Sequence, residues 1–232
     1  MTTTINASNS GSGGLIQTAD ASGILALQTA GTTAVTINAS QNTTFAGTVT
    51  ANTVGSAAAT ALTLQSAGTT AVTIDASQKV GIGTTSPTSL LQTVGSSSLS
   101  AFKTPNMVEV DTISATAATG TINYDVTTQS VLYYTSNASG NWTLNFRGSS
   151  GTSLNTLMQT GESLSATFLT TQGSTAYYNS AVTIDGASVT PKWQGGSAPT
   201  SGNTNSIDSY TYVILKTGSA TYVVLASQTK FA

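Results

Sequence analysis

The chain contains neither cysteine nor histidine. Without cysteine there are no disulfide staples and no thiolate metal sites. Without histidine the usual Ser–His and Cys–His pairs and the commonest zinc ligand are excluded as well. Charge is equally scarce, with six Lys and Arg and eight Asp and Glu in 232 residues and a formal net charge of −2. The basic residues Lys79, Lys103, Arg147, Lys192, Lys216 and Lys230 are scattered, so no stripe exists to neutralise a row of phosphates and no nucleic-acid binding is expected. No apolar run reaches the roughly 18 residues a spanning helix needs, and Met1–Thr4 lack the basic start and apolar stretch of a signal peptide. The expectation is a chain that neither inserts into a membrane nor follows the general export route.

What is present is a β vocabulary. Threonine, whose branched Cβ suits a pleated surface, makes up about a fifth of the chain, and Ser, Ala and Gly fill much of the rest. Apolar residues reach 38%, below the roughly 45–50% of ordinary globular domains, so any core is thin or shared. Disordered chains of low hydrophobicity usually carry high net charge; this one does not.

Residues 27–41 and 64–78 repeat one another at an offset of 37, differing only at Thr29/Ser66 and Asn38/Asp75. A shorter echo, Thr4 to Ser8, matches Thr36 to Ser40. In each copy Leu25 and Leu27 (Leu62 and Leu64), then Val35 and Ile37 (Val72 and Ile74), keep a spacing of two, which puts each pair on one face of a strand. Between them Ala-Gly-Thr-Thr carries the glycine that a tight turn uses for positive φ. A further short strand follows each copy, around Phe45 and around Ile82. A single copy has too few large aliphatic side chains to offset the entropy of ordering its backbone. Two copies are also fewer than the three or so that a stacked solenoid needs. The remaining source of core is other protomers, so Leu27, Val35, Ile37, Phe45, Leu64, Val72, Ile74 and Ile82 are the expected interface of a homo-oligomer built around a common axis.

Composition changes between residues 96 and 106. Before it, Asp20, Asp75 and Lys79 are the only charges and Phe45 the only aromatic; after it come all eight Tyr and both Trp. Period-two runs at 108–113, 121–126, 131–134, 142–146, 164–169, 177–184, 210–215 and 220–225, broken by turn signals such as Asp185-Gly186, predict a β-sandwich or jelly roll. The fold class expected is thus all-β, with residues 1–20 as an attachment segment, 21–100 as a repeat-containing β shaft and 105–232 as the C-terminal domain.

Chemistry has few carriers here. Glu109 and Asp111 are the nearest approach to the paired carboxylates of glycoside hydrolysis, but an exposed strand edge that discourages pairing explains them better. Gly81-Ile82-Gly83 lacks the third glycine and the helix of a phosphate loop, and reads as strand and turn. The threonines of the repeats read as solvated strand faces, and the Asn-x-Ser/Thr sequons at 6, 38, 42, 137 and 141 as products of composition. No catalytic residue, metal site or cofactor is expected, and the chain is read as a non-enzyme. Tyr177, Tyr178 and Trp193 are candidates for stacking on a sugar ring, with core packing as the competing explanation.

The segment Lys79-Val-Gly-Ile-Gly-Thr-Thr-Ser-Pro87-Thr-Ser-Leu-Leu-Gln92 resembles an element of bacteriophage tail-fibre and related virion appendage proteins, and Thr44-Phe45-Ala-Gly47-Thr-Val49 resembles a short shaft unit of such fibres. The stretch Thr190 to Gly196 and the ending Val223 to Phe231 are similar to the terminal domain of structural proteins of marine and cyanobacterial phages. The resemblance implies a virion location and a homotrimer. The short shaft favours a head fibre, capsid decoration or small tail accessory, attached to other virion proteins through its N-terminus. The alternative implied is a receptor-binding tip that recognises a host surface glycan.

Overall fold

The computed structural model of the chain describes residues 23–231. The 1–20 segment and the Thr4–Ser8 echo lie outside them. The chain is nearly all β, 47% strand against 3% helix, in several sheets. It divides into two compact units between Lys103 and Thr104.

The N-terminal unit holds the two repeat copies in separate sheets. Strands β1 (Leu25–Thr29), β2 (Thr32–Ile37) and β3 (Thr43–Phe45) form the first, and β4 (Leu62–Ser66), β5 (Thr69–Ile74), β6 (Val80–Ile82) and β7 (Leu91–Thr93) the second. Neighbours are antiparallel except β6 and β7, which run parallel. The repeated sequence produces repeated backbone. Ala30-Gly31 and Ala67-Gly68 are two-residue hairpin loops with both residues at positive φ, 50° and 76° in the first copy, 48° and 75° in the second, the primed turn that matches strand twist. The next turn is also shared: Asn38 Oδ1 accepts from the amides of Ser40 and Asn42, as Asp75 Oδ1 does from Ser77 and Lys79. The Asn38/Asp75 difference therefore changes charge without changing the turn.

Alanine at positive φ is strained. Ala67→Asn, which tolerates that region, is expected to raise the melting temperature. Gly68→Ala is expected to lower stability by about 1 kcal/mol, because a Cβ there has open space and meets only backbone strain. Calorimetry of the pair checks both signs. At Gly81 a Cβ would strike the Thr84 carbonyl, and Gly83, at φ +73°, faces the Val94 carbonyl. Those close approaches explain both glycines of the Gly-Ile-Gly segment without a phosphate.

The C-terminal unit winds between two sheets. Its strands are β8 (Thr112–Ala117), β9 (Gly120–Asp125), β10 (Val131–Ser136), β11 (Trp142–Arg147), β12 (Ser163–Thr171), β13 (Asn179–Ile184), β14 (Ala187–Val189), β15 (Lys192–Trp193), β16 (Ile207–Gly218) and β17 (Thr221–Phe231), with one helical turn, α1 (Leu154–Leu157), before β12. The six-stranded sheet has the order β15-β17-β16-β12-β10-β8 and the four-stranded sheet β14-β13-β11-β9. From β8 to β13 the chain alternates between the sheets, and each strand lies parallel to the one two before it. Three successive two-strand coils result, each strand of one sheet serving as part of the crossover for the other. Antiparallel hairpins, β13–β14 and the long β16–β17, complete the sheets. These parallel ladders differ from the antiparallel pattern of a jelly roll, because alternation of apolar residues is the same whichever way a neighbouring strand runs.

One core joins the two sheets. Trp142 and Phe146 from β11 meet Phe168 of β12 and Tyr210 and Tyr212 of β16 edge-on, with ring centroids 5.0–5.7 Å apart. Along β16 every second residue from Asp208 to Lys216 is buried. The buried Lys216 ammonium donates to the Asn155 and Met158 carbonyls and so satisfies the end of α1. Two expected strand positions differ. Residues 108–111 precede β8 rather than forming its start, and Tyr177 and Tyr178 lie in the connection before β13.

Candidate assembly surface and C-terminal cleft

Cross-strand register gathers the repeat residues into rows. Leu27, Val35 and Phe45 are direct neighbours across β1, β2 and β3, with Leu25 opposite Ile37 in the adjoining row. In the second sheet Leu64, Val72 and Ile82 form one row, and Leu62, Ile74, Val80 and Leu91 the next. All eight interface candidates therefore lie on one face of their own sheet. That face is open: Leu27 is 45% exposed, Phe45 50%, Leu64 57% and Ile82 46%.

The burial is inverted relative to a self-contained sheet. Among residues 23–103 the fully buried ones are Thr73, Gly81 and Pro87, and none belongs to the hydrophobic core cluster. Thr73 and Gly81 face each other on the side opposite the aliphatic rows. Within the second sheet Thr73 and Gly81 are thus covered, while Leu64, Ile74, Ile82 and Leu91 on the aliphatic side are exposed.

In the C-terminal unit the aromatic candidates separate. The Tyr177 backbone N–H donates to Gln172 Oε1 and its carbonyl accepts from Gln172 Nε2, while the Tyr178 N–H donates to Asn141 Oδ1. Trp193 instead packs edge-on against Tyr212 at 6.1 Å and lines a cleft of about 590 Å³ that neither tyrosine lines. Asn179, Ser188, Thr190 and Lys192, none of them a candidate site residue in the sequence, also line that cleft. Their proximity depends on where β14 and β15 end, which no local pattern signals. Glu109 and Asp111 both accept from the Ser130 hydroxyl, at 2.5 and 3.5 Å. No group of three or more metal-ligating side chains occurs among the described residues.

A buried polar network ties the 201–206 loop to β16. Asp208 is 0% exposed. Its Oδ2 accepts from Gln172 Nε2 and the Asn203 amide, each at 3.1 Å, and from Gln228 Nε2 at 3.5 Å; its Oδ1 has no donor among the described residues. Loss of hydration pushes the Asp208 carboxyl above the usual carboxylate range, against the opposing pull of these donors and of Lys230 on β17. The folded state therefore holds this proton more tightly than the unfolded chain. Its contribution to stability falls as pH rises from the unfolded value near about 3.9 through the raised folded value, then levels off. Asp208→Asn is expected to remove that fall, so its advantage over the parent grows between those two values. Urea unfolding at a series of pH values checks it, and parallel pH curves would contradict the assignment.

No family model, no curated protein and no solved structure matches this chain.

Proposed function

We propose that the chain is a non-enzymatic structural virion protein that assembles through residues 21–100 into a short homotrimeric fibre or decoration on a phage particle. In this reading residues 1–20 attach to other virion proteins, the two repeat sheets form a braided β shaft, and residues 105–232 form a β-sandwich head. One observation carries it: the aliphatic rows of both repeat sheets are exposed or half-buried with none of their residues fully buried, and residues 23–103 contribute nothing to the hydrophobic core cluster. Continuous apolar surface of this kind marks association, and further copies bring the same rows to complete it. The count of three and the virion location come from the resemblance of the 79–92 and 44–49 segments to phage fibre elements. Light-scattering mass measurement across dilution is expected to find three 23.3 kDa chains persisting at micromolar concentration. A folded monomer there would sink the reading. Immunolabelling of purified particles tests the location separately.

A further inference from the structure

We propose that the outer face of the six-stranded sheet, the side turned away from the core, packs against the same face of a second copy of the chain. On β16 every second residue from Asp208 to Lys216 points inward and is buried, so the alternate residues stand on the other side. Pairing extends those outer positions across the sheet. Ile113, Tyr133 and Leu169 form one row and Val213 and Leu225 another, with Thr167, Thr211 and Ser227 between them. Ile113 is 72% exposed, Leu225 44% and Val213 37%. These rows hold no Asp, Glu or Arg, and Lys192, beside Leu225 on the edge strand β15, is their one charge. The four-stranded sheet is the opposite case. Its outer face carries Asn123, Asn145 and Thr183, joined by hydrogen bonds of 2.8 Å, and the Asp125–Arg147 ion pair. One unit therefore has one sheet face suited to water and one almost free of charge.

The lack of charge selects the occupant. An ordinary protein carries charge on about a quarter of its residues, and those at its surface would lose their water against this face with nothing opposite to pair with. A second copy presents the same rows and buries no charge away from their edge. The hydroxyls on the face are already partnered across it. Tyr133 and Thr171 share a hydrogen bond of 3.1 Å, and Thr211 and Ser227 one of 3.0 Å, so covering them removes little that water alone supplied. The extent fits as well. Six strands about 4.8 Å apart, over residues 207–215 at about 3.3 Å each, give a face of roughly 600 Å² per copy. Two such faces bury about 1,200 Å², the low end of specific interfaces. A contact of that size is weak between free chains and sufficient between chains already joined, whose heads meet at a high effective concentration. The inference therefore rests on the shaft reading: the shaft gathers the copies, and the sheet face locks their heads together.

The chain has no cysteine, so a single introduced thiol reports on one position. Thr211→Cys places it in the middle of the proposed contact, and Thr121→Cys places it on the outer face of the four-stranded sheet. Both threonines are exposed, and both substitutions nearly preserve side-chain size, so an unchanged melting temperature is expected in each. Alkylation rates are measured in the full chain and in the full chain that also carries Val35→Asp and Val72→Asp, with the mass of each followed by light scattering. Assembly is expected to slow alkylation of Thr211→Cys at least about tenfold relative to the dissociated chain, and to leave Thr121→Cys at one rate in both. A Thr211→Cys rate that assembly does not change overturns the inference and leaves the shaft reading standing. Slowing at Thr121→Cys alone overturns it too, because the copies would then meet through the other sheet. A parent chain that is monomeric removes both readings. A double variant that stays assembled with the Thr211→Cys thiol protected keeps the sheet contact and removes the role of the shaft.

Discussion

A chain carrying Val35→Asp and Val72→Asp is expected to run as a monomer while its C-terminal unit stays folded. Both valines are half-buried and sit at the centre of a three-residue row, Leu27–Val35–Phe45 in one sheet and Leu64–Val72–Ile82 in the other. If the rows of several copies meet, each substitution places a carboxylate from every copy into one narrow apolar space. An unpaired buried charge costs several kcal/mol, and like charges there add to one another, so association should weaken by many orders of magnitude. Thr44→Asp is the control, because Thr44 lies on the opposite face of the same sheet and is exposed. Analytical ultracentrifugation of both variants reads the difference. Assembly of the double variant, or failure of the Thr44 variant, would show that the aliphatic face is not where the copies meet. Trp142 and Trp193 both lie in the C-terminal unit, so tryptophan fluorescence reports whether that unit remains native in the monomer.

Trp142→Ala should be the most damaging single change in the C-terminal unit, with a loss of about 3–5 kcal/mol. Trp142 is 1% exposed and touches Phe168 and Tyr210 of the facing sheet at ring-centroid distances of 5.7 and 5.5 Å. Its removal leaves a hole between the sheets that β11, paired on both sides, cannot close by shifting. Losses of that size approach the whole stability of a small domain. The melting transition of this unit is therefore expected to fall by roughly 10 °C or more. Trp142→Phe should cost less, since the indole Nε1 has no hydrogen-bond partner among the described residues and phenylalanine leaves no such donor behind. Near-UV circular dichroism during thermal unfolding compares them. An alanine variant within about 1 kcal/mol of the parent would mean the sheets do not depend on this contact.

Much of this was legible in the chain before folding was considered. The 37-residue repeat announced two similar sheets, and the spacing of Leu27, Val35 and Ile37 announced which side of each strand is apolar. The Ala-Gly pairs announced the tight turns, because their role is set by the residues within them. Most period-two runs after residue 120 fall on strands for the same reason. The failures are also local in origin. At 108–111 the alternation falls on residues that precede β8 and join no strand ladder, and at Tyr177-Tyr178 two aromatics with high strand propensity are held in a connection by Gln172 and Asn141.

Taken alone, the sequence determined an all-β chain, a poverty of apolar side chains before residue 100 and the identity of the open aliphatic face. Those properties depend on composition and on periods of two, which neighbouring residues settle among themselves. Only the tertiary structure decided that the C-terminal strands run parallel in alternating coils, that Asp208 is stripped of water, and that Trp193 shares a cleft with Asn179 and Lys192 while Tyr177 and Tyr178 do not. Each of those depends on which distant strand becomes a neighbour, and that is set by the packing of one core between two sheets rather than by any stretch of chain read alone.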